Sequence, residues 1–379
     1  MKKTIFHFVL FSLIRTFARE NMKRTSWWLL TAAILISMSA KADNITFADA
    51  NVKALCVANW DTNKDGELST EEAAAVTSLG TVFKEQTNIT TFNEFKYFTG
   101  LTVIGERAFY KSSIQSITFP SSLTDIAMYA FYKSEITGEL IVPGNVKTIK
   151  AYAFLECTQL TRVILQEGVE DIGTEAFNGP IHYLSLPTTI TSYGWDGVNP
   201  YMSHGFEDRD YEFHLFARSK TPVPVNDYAF HCLYGEGILV VPFGCVDTYE
   251  STLPWNVFYK ILEIGDVNED GALDNTDLQT IKSYVDGLPN IALNTDIADI
   301  NGDGTVDITD WELLNQHLNP ILMGDVNGDG AVNVLDVTTL VSYVLNEPLE
   351  TFVEAAADVN GDGNINTLDV TKLVSIILE

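Results

Sequence analysis

Basic residues are scarce in this sequence. The 379-residue chain holds 23 Lys and Arg against 51 Asp and Glu, which gives a formal net charge of -28. A surface with so few cations repels a phosphate backbone, so we do not expect nucleic acid as a partner. The chain is nevertheless 46% hydrophobic and 11% aromatic. That composition supports several domains with buried cores and excludes a disordered acidic tail.

Cysteine is also scarce, with only four residues at irregular spacing: Cys56, Cys157, Cys232 and Cys245. They fit no zinc pattern and are too few for a disulfide framework. Cys157 and Cys232 each follow an Ala-Phe pair, where we expect a buried thiol. A bridge between Cys232 and Cys245 is the alternative.

Long hydrophobic runs are confined to the N-terminus. Residues 22–24 are basic at two of three positions, residues 27–38 are apolar, and Ala40-Lys41-Ala42 is a small-residue cleavage site. This order predicts a secretory signal peptide that begins at Met22, so residues 1–42 are assigned to the leader. No later stretch reaches the ~18 to 20 apolar residues of a membrane span. We therefore expect an exported protein at the cell surface or outside it, with the periplasm as the alternative.

Catalytic signatures are missing as well. The sequence has no Gly-x-Ser-x-Gly elbow, no His-Glu-x-x-His and no phosphate loop. The histidines after the leader share no spacing: His182, His204, His214, His231 and His317. These features predict a protein that is not an enzyme, and a hidden site within residues 190–214 is the one alternative.

One twelve-residue loop occurs five times, starting at Asp61, Asp266, Asp299, Asp325 and Asp358. Each copy has Asp, Asn and Asp at positions 1, 3 and 5, Gly at 6, an aliphatic residue at 8 and a carboxylate at 12. These are the ligands of an EF-hand loop, in which position 7 adds a carbonyl and position 9 a direct or water-mediated ligand, so the predicted cofactor is calcium. The predicted ligands of the first loop are Asp61, Asn63, Asp65, Glu67, Ser69 and Glu72. Those of the later loops are Asp266, Asn268, Asp270, Ala272, Asp274 and Asp277; Asp299, Asn301, Asp303, Thr305, Asp307 and Asp310; Asp325, Asn327, Asp329, Ala331, Asn333 and Asp336; and Asp358, Asn360, Asp362, Asn364, Asn366 and Asp369.

The first loop stands alone within residues 43–100. Apolar residues at helical spacing flank it over 43–80, and Ser69 with Glu72 forms a capping-box pattern, which predicts an all-α, unpaired EF-hand. An Asx-rich turn without metal is the alternative. Phe92, Phe95 and Phe98 follow at three-residue spacing. We expect this ridge to cover the open end of the repeats that come next.

From Leu101 the sequence is periodic, in units of 22, 23, 23 and 21 residues that end at Thr189. Each unit has an isoleucine, an Ala-Phe pair and a short alternating strand. Stacked units of this kind bury a phenylalanine ladder on one side of a coil and build a parallel sheet on the other. The outward positions of that sheet form a candidate binding face, which includes Thr118, Ile141, Arg162, Ile164, Tyr183 and Ser185.

The recurring Ile-Gly-x-x-Ala-Phe core resembles the BspA-type leucine-rich repeats of bacterial surface proteins. The resemblance covers residues 101–264, with an insertion at 190–214 and a closing cap before 264. It implies a right-handed solenoid of short parallel strands. It further implies macromolecular recognition or adhesion, with a protein or glycan as ligand.

The last four loops start 33, 26 and 33 residues apart, and each is followed by an apolar helix pattern. They therefore group into two pairs, which we name the first module (265–322) and the second module (323–379). Asp occupies position 12 in all four loops, and the helix patterns follow the loops. Paired, all-α F-hands of this kind resemble type I dockerin modules, and the resemblance implies calcium-dependent attachment to a cohesin-like protein.

Loop positions 10 and 11, which face the cohesin in dockerins, differ between the halves of each module. They are Asn275-Thr276 and Ile308-Thr309, then Val334-Leu335 and Thr367-Leu368. The Ser/Thr pair of the best-known dockerins is absent. A tail that serves as a calcium-stabilised spacer or retention element is therefore the alternative, and family analogy adds an accessory role in a polysaccharide-degrading assembly.

Overall fold

The computed structural model of the chain describes residues 43–194, 198, 199, 213–225, 230, 237–349 and 351–378. The predicted leader, most of the predicted insertion, His204, His231 and Cys232 lie outside these residues. No helix in the described part is long and apolar enough to cross a membrane. The chain divides into two compact units. The first unit consists of the residues up to 137 together with residues 145–159. The second consists of residues 138–144 together with the residues from 160 onward.

Two helices flank the first loop. Helix α1 (Ala50–Trp60) is capped by Asp49, whose carboxylate accepts the backbone N–H groups of Asn51 and Val52. Helix α2 (Thr70–Ala74) begins with the predicted capping box. It ends sooner than the helical spacing up to residue 80 suggested, although Val76 and Leu79 remain buried. Thr77 and Ser78 follow at that point, and both are weak helix formers.

Short strands follow one another through the repeat region. Those described are β1 (Thr91–Phe92), β2 (Val103–Ile104), β3 (Ser116–Ile117), β4 (Asp125–Ile126), β5 (Gly138–Val142), β6 (Thr148–Ile149), β7 (Leu160–Leu165), β8 (Asp171–Ile172), β9 (Phe177–Asn178), β10 (Tyr183–Leu186), β11 (Ser192–Tyr193), β12 (Val198–Asn199), β13 (His214–Ala217), β14 (Ile238–Val241) and β15 (Lys260–Glu263). Every pairing between them is parallel. A coil of parallel strands was the architecture predicted from the repeats.

A ladder of stacked rings forms the core of the first unit. Phe109 and Phe131 stack with ring centroids 4.9 Å apart, and Phe131 and Phe154 stack at the same distance. Phe83 extends the ladder to Phe109 at 5.1 Å. All four rings are buried. This confirms the predicted ladder for the repeats of the first unit.

The predicted phenylalanine ridge covers one end of this ladder. Phe92, Phe95 and Phe98 are fully buried, with ring centroids 5.1 to 5.5 Å apart. The segment is strand β1 followed by a 3₁₀ turn over Asn93–Tyr97. Trp60, the last residue of α1, packs 5.5 Å from Phe98. The helix before the loop at Asp61 is thus part of the cap.

The second unit contains a six-stranded parallel sheet in the order β5-β7-β10-β13-β14-β15. Strand β13 was not predicted, because residue 214 had been placed at the end of the insertion. Its Leu215, Phe216 and Ala217 are all buried, as the preceding Phe213 is. The Ile-Gly-x-x-Ala-Phe core does not precede it, so the sequence carries no repeat motif that indicates this strand.

Helices follow the four loops of the tail. They are α4 (Asn275–Val285), α6 (Ile308–Leu318), α7 (Val334–Val344) and α8 (Thr367–Leu378), and the short helix α5 (Thr295–Ala298) precedes the loop at Asp299. The short helix α3 (Val246–Glu250) lies between β14 and β15. Helices α4, α6 and α7 each start with a capping box between loop positions 9 and 12. Within the second module, Val326, Leu340, Ala357, Val359 and Leu373 form a buried cluster of their own.

Three of the cysteines are described, and all are free and buried. Burial raises the pKa of Cys157 to about 12, and its thiol donates to the carbonyl of Phe131 at 3.1 Å. Buried packing of Cys157 is therefore confirmed. The Cys245 thiol is free, and Cys232, its partner in the alternative bridge, lies outside the described residues.

Candidate functional site

Position 1 of every loop holds the turn closed. The carboxylate of each first Asp accepts the N–H of the glycine at position 6, at 2.8 or 2.9 Å. Those glycines have φ between +81° and +91°. A side chain is strained in this conformation, so glycine is required at the sharp turn. The five copies therefore share one backbone form.

Positions 3 and 5 continue the inward turn. Each Asn side-chain oxygen accepts the N–H of position 5 at 2.8 or 2.9 Å, and its amide donates to the position 5 carboxylate. The position 5 carboxylate also accepts the N–H of position 7. The side chains of positions 3 and 5 are thereby held against the turn in each copy.

The position 12 side chain lies on the exit helix and accepts hydrogen bonds from the start of its own loop. The four position 12 aspartates of the tail are fully buried: Asp277, Asp310, Asp336 and Asp369. In the loop at Asp266, Asp277 Oδ1 accepts the N–H groups of Val267 and Asn268, and Oδ2 accepts that of Asp274. Both oxygens thus face the loop, which is the arrangement that a position 12 ligand needs.

Glu72 has the same place in the first loop. Its Oε1 accepts from the Thr62 N–H at 2.9 Å, and its Oε2 accepts from the Ser69 N–H at 3.0 Å. Burial alone raises its pKa, but hydrogen bonds from Ser69, Thr62 and Asn63 outweigh that effect and lower the pKa to about 2. The carboxylate is therefore charged near neutral pH.

The loop at Asp266 indicates which kind of ligand its carboxylate oxygens need. Asp266 Oδ1 is buried and has no hydrogen-bond partner. Burial and the neighbouring carboxylates of Asp277 and Asp270 raise the pKa of Asp266 to about 6. A buried carboxylate oxygen without a donor is costly unless a cation meets it. The donor set is all oxygen, which suits calcium rather than zinc.

The described residues contain no group of three or more His, Cys, Asp and Glu side chains placed as a ready metal site. The predicted ligand sets also use asparagine oxygens and main-chain carbonyls, which such a group does not include. The residues fit calcium by chemistry and spacing.

Position 7 and position 9 have separate roles. The Glu67 side chain pairs with Lys53 at 2.7 Å, and the prediction that Glu67 binds calcium through its carbonyl stays a prediction. At position 9, Asp274 and Asp307 cap their helices by accepting the position 11 N–H. Asn333 and Asn366 cap as well, but their amide nitrogens also donate to the position 7 carbonyls of Ala331 and Asn364. In the second module a predicted calcium ligand therefore already accepts a hydrogen bond.

The first loop has no second loop beside it, and a short segment takes that place. The Ile45 N–H donates to the carbonyl of Leu68, loop position 8, at 2.8 Å. Asn44 and Ser69 form an antiparallel bridge. In the tail, by contrast, the position 8 side chains join the hydrophobic clusters: Leu273 and Val306 in the first module, Val332 and Ile365 in the second.

Loop positions 10 and 11 are exposed and differ between the modules. Val334, Leu335 and Leu368 of the second module are 59 to 65% exposed. In the first module, only Ile308 is apolar among the corresponding four residues. Exposed aliphatic groups at the start of two adjacent helices are typical of an interaction site. We name Val334, Leu335 and Leu368 the aliphatic patch.

The predicted binding face of the sheet is only partly open. Thr118 and Ile141 are exposed, Arg162 and Ile164 are half-buried, and Tyr183 and Ser185 are both only 6% exposed. The prediction that the last two face solvent is wrong. Tyr183 belongs to one hydrophobic cluster with residues of the first module, and the Ser185 hydroxyl accepts from Arg218 Nε at 3.4 Å.

The three described histidines lie on separate parts of the fold. His182 precedes strand β10, where burial lowers its pKa. His214 is on β13, and His317 on α6 stacks against Phe243 with ring centroids 4.1 Å apart. Packing accounts for His317 without a catalytic role.

Comparison with known proteins agrees with these structural features. A model of the BspA type leucine rich repeat region matches residues 81–195 in six copies. A model of the dockerin type I domain matches residues 264–319 and 323–378. No curated protein matches the chain.

One similar solved structure is a leucine rich cell surface protein from Faecalibacterium prausnitzii A2-165. It is 15% identical, with a TM-score of 0.24, over 46% of this chain. The matched part spans 63% of the length of that protein. On the two family matches, the chain contains a BspA-type leucine-rich repeat region followed by two tandem type I dockerin domains, which are interaction and attachment modules.

Proposed function

We propose that the chain is an exported, calcium-binding attachment protein without catalytic activity. The repeat region recognises a protein or glycan at the cell surface or outside it. The dockerin tail attaches the chain to a cohesin-like protein when calcium is bound. The N-terminal EF-hand loop binds calcium as part of the repeat cap.

The aliphatic patch is the observation that carries this proposal. Val334, Leu335 and Leu368 are exposed at the loop positions through which dockerins contact their partners. Leu335 and Leu368 each donate their N–H to the position 9 asparagine of their own loop, at 2.8 Å. Calcium in the loop would fix the start of the helix and so the position of the patch.

Binding to cohesin domains tests the attachment. The full chain should bind a cohesin domain from the parent cell in calcium and release it in chelator. Replacing Leu335 with aspartate should weaken binding by about 10- to 100-fold, because a charge would enter the desolvated centre of the contact. Surface plasmon resonance against a cohesin panel measures both effects.

Leu345 provides a matched control. It is 63% exposed and lies at the other end of helix α7 from the patch. The Leu345→Asp variant should bind as the parent chain does. An equal loss of binding in both variants would show that the patch is not part of the interface. Absence of binding in calcium and in chelator would favour a spacer or retention role for the tail.

Position 9 should set the order of calcium affinity in the tail. The first module has Asp274 and Asp307 there, and the second has Asn333 and Asn366, whose amides hydrogen-bond a predicted ligand. Calcium affinity rises with the number of carboxylates around the ion. In calorimetric titration of the full chain, the first module should therefore bind more tightly.

Exchanging the residues gives the decisive comparison. Asp274→Asn should weaken one site of the first module, and Asn333→Asp should strengthen one site of the second, by about tenfold each. Unchanged affinities in both variants, or a tighter second module in the parent chain, would contradict the ranking.

A further inference from the structure

One outward row of the six-stranded sheet becomes steadily more buried from strand to strand. The register places Ile141, Ile164, Ser185, Phe216, Val240 and Leu262 side by side. Ile141 on β5 is 46% exposed, Ile164 on β7 is half-buried, and the last three are 1% exposed. Something covers the outer face from β10 to β15 and leaves β5 open.

The cover is the first module. Its buried residues form one hydrophobic cluster with the outer face of the sheet, including Phe216, Val240 and Leu262. The module contributes side chains from both of its loop-helix units: Val267, Leu278, Ile281, Ile297, Ala298 and Leu314. The core of the first module is therefore completed by the repeats.

Polar contacts surround this apolar contact. Arg162 on β7 pairs with Asp296 on α5 at 2.7 Å, and its guanidinium lies 3.5 Å from the centre of the Tyr183 ring. Lys260 on β15 donates to the carbonyl of Glu269 in the first tail loop. The sheet thus contacts both halves of the module by charge or hydrogen bond.

The chain passes from the sheet into the module without a linker. Ile264 directly follows β15, and its N–H still donates to Val241 of β14 at 2.8 Å. The next residue, Gly265, donates to the carbonyl of Ile297 within the module. Calcium ligand Asp266 comes immediately after. A module held this way has little freedom to leave the sheet.

The second module lacks the residues that make these contacts. The two modules align with a constant offset of 59 residues, as the loop starts show. Asp296 then corresponds to Ala355, and His317, which stacks on Phe243, corresponds to Ile376. At the aliphatic patch, the second module has the apolar side chains, because Asn275 and Thr276 of the first module correspond to Val334 and Leu335. The first module therefore has the side chains that contact the sheet, and the second has the exposed aliphatic side chains of the patch.

We propose that the first dockerin domain is an intramolecular cover of the repeat sheet, and that its partner is the outer face of strands β10 to β15. Only the second domain is then available to bind an external protein, and this part of the inference rests on the proposed function. The open surface of this sheet for a ligand of the repeats is reduced to the end at β5, around Glu139 and Ile141.

Hydrogen exchange of the full chain in calcium tests this with two equivalent substitutions. Asp277→Ala removes a buried carboxylate from the first module, and Asp336→Ala removes its counterpart from the second. We expect Asp277→Ala to speed exchange in β13, β14 and β15 by at least about tenfold, because opening of the module exposes the face beneath it. Asp336→Ala should leave those strands unchanged. Equal effects of the two variants, or none from Asp277→Ala, would overturn the proposal.

A milder pair of variants applies if Asp277→Ala prevents folding. Arg162 pairs with both Asp296 of the module and Glu139 of the sheet, the latter at 2.9 Å. Arg162→Ala should speed exchange in α5 by about threefold or more, whereas Glu139→Ala, which spares the contact with the module, should not. Identical exchange in these two variants would also overturn the cover. Failure to bind any cohesin would count against the proposed function and leave these exchange results unaffected.

Discussion

Replacing Phe131 with alanine should lower the free energy of unfolding of the first unit by about 3 to 5 kcal/mol. The ring is fully buried and stacks at 4.9 Å on both Phe109 and Phe154. Its removal leaves a cavity between two repeats whose spacing is fixed by parallel pairing of β2, β4 and β6. The repeats cannot close that gap without breaking the pairing, so little of the loss is recovered. Urea denaturation of the full chain, followed by hydrogen exchange in residues 101–137, measures the change.

The neighbouring Tyr132 is the matched control. It also stacks on an equivalent ring, Tyr110, at 5.1 Å, but it is only half-buried and its hydroxyl donates to Glu156. Tyr132→Ala should cost about 0.5 to 1.5 kcal/mol, as expected for an aromatic pair near the surface. If Phe131→Ala costs no more than Tyr132→Ala, the phenylalanine ladder is not the main source of stability.

The ladder and the loops were predictable because each is specified within a few residues. The Ala-Phe pair recurs at the repeat period, so every phenylalanine reaches the same place in the coil. The loop oxygens likewise follow from local turns that Gly271 and its equivalents permit. Neither feature depends on contacts between distant parts of the sequence.

The cover over the sheet was not predicted, because it joins residues far apart in the chain. Arg162 and Asp296 give no local sign that they form an ion pair. One signal was present, since β14 reads Ile-Leu-Val-Val with no alternation between apolar and polar residues. Strands buried on both faces are continuous hydrophobic runs of this kind. The pattern indicated that something packs on the outer face, but it could not identify the first module.

The two modules differ in what completes their cores and in what they expose. In the first module, the sheet supplies part of the core, and loop positions 10 and 11 remain largely polar. In the second, the cluster is the module's own, and the equivalent positions are exposed and aliphatic. The proposed division assigns a structural role to the first domain and a binding role to the second, and it needs only a few substitutions, such as Ala355 for Asp296.

Removing calcium should therefore affect the two modules unequally. A domain of about 60 residues gains only about 3 to 5 kcal/mol from its core, whereas one site filled at a thousand times its Kd adds about 4 kcal/mol. The second module depends on its own small cluster, so chelation should abolish exchange protection in α7 and α8. Helices α4 and α6 should keep part of theirs, because the sheet still holds Ile281 and Leu314. Hydrogen exchange of the full chain with and without chelator measures both modules at once. Unchanged protection throughout would contradict calcium binding, and equal loss in both modules would show that the sheet contributes nothing to the first.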